Sequence, residues 1–190
     1  MPTIQYRPGV AVIAKSRATK QPLERLSHAP SPPDTQSWPD AQGYPDDVTN
    51  EPTPHDLLIR AHALHSEGQI DDAIASARQA IALDPGYVDA WSYLGTTLVT
   101  RKLAFADGLE ALERAYALAP DDAGIVYGLG WCYEFVAYRL QKMPGRPYRD
   151  PIELYRLAAA RLQRTIDLNP EQGLRDDADD LLASIEARLE

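Results

Sequence analysis

The chain has 190 residues, of which 28 are Asp or Glu and 19 are Lys or Arg, for a net charge of -9 with histidine neutral. Its length supports one substantial core. The 44% hydrophobic and 25% charged shares are those of an ordinary globular chain, neither wholly disordered nor membrane-embedded. The acidity opposes general binding to nucleic acid or anionic lipid, both of which need a basic face. The single cysteine, Cys132, excludes an intrachain disulfide and a zinc site of several thiolates, and it suits a reducing compartment.

Ten of the sixteen prolines fall between Pro2 and Pro54. Up to Thr53 no run keeps a helical period for three turns, because Pro30, Pro32, Pro33, Pro39 and Pro45 interrupt it. Residues 1–53 therefore read as an extended, largely irregular arm. Its first half is basic (Arg7, Lys15, Arg17, Lys20, Arg25) and its second acidic (Asp34, Asp40, Asp46, Asp47, Glu51). Ile4, Tyr6, Val10, Val12 and Ile13, around the turn signal Pro8-Gly9, make either a short strand on another protein's sheet edge or an apolar tail. They are the arm's candidate partner contacts. The run Gly9 to Ala14 is too short for a secretory signal and no small-residue cleavage site follows it, so the expected residence is cytoplasmic.

From Pro54 the pattern becomes helical and repetitive. His55 to about Glu67 and Asp71 to Leu83 read as two helices around Gly68. A second pair follows, with Trp91, Leu94, Gly95 and Leu98 on its first helix and Leu109, Leu112, Ala115 and Leu118 on its second. A third has Val126, Leu129, Gly130 and Tyr133, then Leu154, Ala158, Leu162, Thr165 and Leu168. Each pair ends on one signature: Leu83-Asp84-Pro85, Leu118-Ala119-Pro120 and Leu168-Asn169-Pro170.

These residues resemble the tetratricopeptide repeat (TPR) family, whose 34-residue unit wants a large apolar residue, Leu-Gly three positions on, then Tyr, two small residues seven apart, and Pro. Trp91-x-x-Leu94-Gly95 and Val126-x-x-Leu129-Gly130-x-x-Tyr133 match the first helix, and Ala73 with Ala80 and Gly108 with Ala115 match the second. The resemblance implies an all-α superhelix of three helix pairs, about 54–87, 88–122 and 123–170, within a domain spanning 54–190. The final segment, 171–190, is amphipathic, with Leu174, Ala178, Leu181, Leu182, Ile185 and Leu189 on one side and Arg188 among the charges opposite, as a capping helix requires.

The departures are specific. The first unit has Leu57, Arg60 and Ala61 where an aromatic, Leu and Gly are expected. Pro85 to Pro120 spans 35 residues, one too many, and Pro120 to Pro170 spans 50. The latter excess aligns between the third pair's helices at about 137–152, where Arg139, Lys142, Arg146, Tyr148 and Arg149 make a locally basic stretch. That stretch is either a contact site for an acidic partner surface or a tolerated loop.

The resemblance further implies that the first helix of each pair lines a concave groove holding a peptide or partner helix. By alignment the groove side carries Leu58, His62 and His65, then Ser92, Thr96 and Val99, then Tyr127, Trp131, Glu134 and Phe135. Tyr127, Trp131 and Phe135 recur every four residues on a face that the Leu129–Tyr133 packing does not need, so they are either a contact site or a surface buried by the insertion or the arm. The family's clamp for chaperone C-terminal carboxylates uses Lys, Arg and Asn. Leu58, His62, Tyr93 and Thr96 stand in the corresponding places, which favours an apolar or aromatic ligand.

No catalytic or cofactor constellation is expected. Gly124, Gly128 and Gly130 lie inside a helix rather than in a phosphate loop. His62 and His65 share a face, but no carboxylate or thiol stands at metal-ligand spacing beside them. Cys132 reads as a small packed hydrophobe. The sequence thus points to a non-catalytic module for protein–protein interaction, an accessory or assembly subunit of a larger complex. A free adaptor that captures an apolar peptide or helix is the alternative, and an RNA-associated protein acting through the basic stretch a weaker one. The expected partners are proteins, without nucleic acid, membrane insertion or a small-molecule substrate.

Overall fold

The structure, a computed structural model, describes residues 51–142, 145 and 149–190. The arm with Ile4, Tyr6, Val10, Val12 and Ile13, and the loop residues Arg146 and Tyr148, lie outside them. The described residues form seven helices and no strand. In chain order these are α1 (Pro54–Ser66), α2 (Ile70–Leu83), α3 (Val88–Thr97), α4 (Phe105–Leu118), α5 (Ala123–Lys142), α6 (Pro151–Asp167) and α7 (Gln172–Leu189). They pack as antiparallel neighbours, α1 on α2, α3 on α4 and α5 on α6, with α7 laid against α6 and α5.

Local chemistry sets the helix ends. Thr53 and Asp56 form a capping box: Thr53 Oγ1 accepts from the Asp56 amide at 3.2 Å, and the Thr53 amide donates to the Asp56 carboxylate at 3.0 Å. Asp122 accepts from the amides of Gly124 and Ile125, and Asp150 from that of Ile152. Pro54 and Pro151 open α1 and α6, where a missing N–H costs nothing. Pro85 and Pro120 each follow a helix end by two residues.

The small residues that carry the repeat pattern permit close packing. Ala73, Ala77, Ala80, Ala90 and Ala115 are wholly buried. The largest apolar cluster joins Leu109 and Leu112 of α4, Leu129, Tyr133 and Val136 of α5, Leu154, Tyr155 and Leu162 of α6, and Ile185 of α7.

Both irregular repeat lengths have a structural outlet. In the second pair α3 continues as a π-helical turn, Leu98–Lys102. The Ala104 amide then donates to Leu98 O at 3.0 Å, and Leu103 takes a left-handed conformation, φ 53°. A π turn absorbs one extra residue without ending the helix, and that is the excess between Pro85 and Pro120. Leu103 holds the place that Gly68, φ 80°, holds in the first pair. In the third pair the excess is helical at its start. α5 runs on to Lys142 and buries Val136, Ala137 and Leu140, while the Tyr155 hydroxyl donates to Gln141 Oε1 at 3.1 Å.

Candidate functional site: the first-helix face

The first helices α1, α3 and α5, with α7 in the next place, are tied side by side. His65 of α1 meets the Tyr93 hydroxyl of α3 at 3.1 Å, Tyr93 donates to Ala61 O at 3.0 Å, and His62 sets its ring edge-on to Tyr93 with centroids 4.6 Å apart. Cys132 of α5 is wholly buried beside Thr96 of α3, and burial pushes its thiol up to about 12. Asp177 of α7 acts on Tyr127, whose hydroxyl burial also pushes to about 12. Burial raises the Glu134 carboxyl above the ordinary range, opposed by the Arg188 guanidinium.

Of the residues aligned to the groove, eight reach the surface and two do not. Trp131 and Phe135 stack with centroids 5.6 Å apart and planes 24° from parallel, and both, like Tyr127, are half-buried against the core. Ser92, Thr96, Glu134 and His65 are half-buried, and His62 is exposed. Val99 is 0% exposed, because it packs into the space left by Gly108, and Leu58 is only 7% exposed. Neither is available to a ligand. One helical turn carries a core stripe wider than the repeat template implies, and the π turn keeps Val99 on the α4 side.

The basic stretch is partly committed. Arg149 lies 3.8 Å from Glu113 of α4, a carboxylate that also accepts from the Tyr133 hydroxyl at 2.6 Å. Lys142, at the end of α5, sits 5.5 Å over the Tyr138 ring, and Arg139 is half-buried. Arg188 was expected on the outward charged side of α7. It leans instead over the rings of Tyr138 and Tyr155, at 5.6 and 5.9 Å.

Sequence reasoning missed Arg101. Its Nε donates to His65 Nε2 at 3.1 Å across the first two pairs. The signal was the 35-residue spacing, since placing the extra residue at the end of α3 re-aims Arg101. Both histidines are held below their ordinary range, His62 by burial against the pull of Asp89, and His65 by burial, Arg101 and His62. Among the described residues no three His, Cys, Asp or Glu side chains are grouped to hold a metal, and no helix is long and apolar enough to cross a membrane.

Paired antiparallel helices repeated with the same small residues at the same positions define a helical-repeat protein. Residues 61–100 match the family model described as TPR repeat. The chain's fold is similar to that of the first TPR of Spaghetti (RPAP3) bound to an HSP90 peptide, at 18% identity and a TM-score of 0.56, covering 72% of this chain and 93% of that one. MamA from Desulfovibrio magneticus RS-1 is matched at 22% identity and a TM-score of 0.49, over 73% and 75% of the two chains. No curated protein matches the sequence.

Proposed function

We propose that this protein is a non-catalytic protein–protein interaction module, a cytoplasmic accessory or assembly subunit that meets its partner through the first-helix face and the N-terminal arm. The stacked Trp131–Phe135 pair carries the reading. Two large aromatic rings, half-exposed on a rigid helix with Tyr127 one turn before, cost little conformational entropy to engage and exclude water over a wide area. The ligand class this supports is an apolar or aromatic helix or extended segment. The RPAP3 domain of similar fold holds an HSP90 peptide. Here His62 and Tyr93 face each other where a clamp would present Lys, Arg or Asn, which supports a different ligand.

Affinity capture from the native host, comparing the full chain with Trp131→Ala and Phe135→Ala, tests this. Loss of the same partner from both, with helical circular dichroism retained, is the expected result; unchanged capture by both would sink the groove as the working surface. A chain beginning at Glu51 isolates the arm's share and keeps the Thr53 cap on α1. If it retains every partner, the free adaptor replaces the accessory subunit.

A further inference from the structure

Arg101 reaches back to the first helix pair from inside the π turn. The guanidinium has only donors, so the nitrogen it meets, His65 Nε2 at 3.1 Å, must carry a lone pair. A neutral imidazole then holds its single proton on Nδ1, which lies 3.1 Å from the Tyr93 hydroxyl. Tyr93 accepts that proton's hydrogen bond and spends its own on Ala61 O at 3.0 Å. One assignment satisfies all three contacts, and it requires His65 to be neutral.

The groups facing this histidine all agree. On its own helix stands His62; from α3 comes Tyr93, and from the π turn Arg101. Asp89, at the start of α3, acts on His62, while the neighbouring Lys102 is taken up by Asp71 at 2.5 Å. Burial, Arg101 and His62 each disfavour a charge on His65, and among the described residues no carboxylate acts to restore it.

We infer that His65 is a proton-operated latch between the first two helix pairs: when neutral it holds Arg101 against α1, and when protonated it has no lone pair left and must release Arg101 to the first-helix face. The sign follows from linkage. A histidine held below its ordinary value contributes stability in full above about pH 6.5 and loses it as pH falls from there toward the folded-state value. Acidification therefore frees one guanidinium and adds one imidazolium at this end of the face.

The test is long-range 1H–15N correlation on the full chain labelled with 15N-histidine, with His65 assigned by the signal lost in His65→Gln. At pH 7.5 the latch requires the Nδ1–H tautomer, with a titration midpoint below 6.5. Arg101→Lys keeps a positive charge but loses the Nε donor. It should shift His65 toward the commoner Nε2–H tautomer while circular dichroism shows a folded chain. An Nε2–H tautomer in the unmodified protein, or a tautomer and midpoint unmoved by Arg101→Lys, would overturn the latch.

Discussion

Gly95 of α3 and Gly108 of α4 face each other so closely that neither can carry a side chain. A Cβ on Gly95 would lie 2.7 Å from the carbonyl oxygen of Gly108, and one on Gly108 would lie 2.9 Å from that of Gly95. Backbone cannot swing aside as a side chain can, so the second helix pair is held at this separation by the absence of two methyl groups.

Gly95→Ala should accordingly cost about 3 kcal/mol, the upper range for overpacking. Gly130→Ala, whose nearest neighbours are the Arg161 Cβ at 3.1 Å and the Leu162 Cγ at 3.2 Å, should cost about 1 kcal/mol. Urea denaturation of the two variants measures the difference. Equal losses would contradict the reciprocal contact.

Cys132 should resist alkylation in the folded protein. It is wholly buried and its thiol is raised to about 12, so at pH 8 only about one molecule in 10,000 carries the thiolate that reacts. Iodoacetamide followed by mass spectrometry should show no adduct in buffer and one adduct in denaturant.

Tyr133→Phe should cost roughly 1.5–3 kcal/mol, the range for a hydrogen bond to a charged partner, because it removes the 2.6 Å bond to Glu113 and keeps the ring. The Arg149 contact with the same carboxylate should loosen with it. Added salt should weaken that ion pair and leave most of the hydroxyl's contribution. Denaturation of wild type and variant at low and high ionic strength separates the two.

Glu134 opposes folding at neutral pH. Its carboxyl is raised by burial despite Arg188, so the folded state favours the protonated form, and stability falls as pH rises through the ordinary carboxylate value toward the raised one. Glu134→Gln should raise the thermal midpoint slightly at pH 7 and leave it unchanged near pH 3.

Much of this was legible in the residues. Helical period, the Leu-x-Pro endings and the small residues at fixed spacing gave seven helices in the right order, because close packing admits few residue types at Gly95 or Ala115. Trp131 and Phe135 were legible as large rings four residues apart on one helix; that they stack on each other and pack partly against the core was not. Val99 was not legible. Its template position faces the groove, and only the π turn and the empty space at Gly108 explain its burial. Arg101 was hidden similarly: an extra residue can be counted from Pro85 and Pro120, but where the helix stores it depends on which hydrogen bonds survive.

The capping box at Thr53 has a consequence for digestion of the chain. With the Thr53 amide held by Asp56 and its side chain holding Asp56 in return, backbone protection begins before the first helical residue. A protease that trims the arm should leave a fragment whose N-terminus lies at or before Thr53. Removal of Thr53 itself should mark the point at which the first repeat begins to fray.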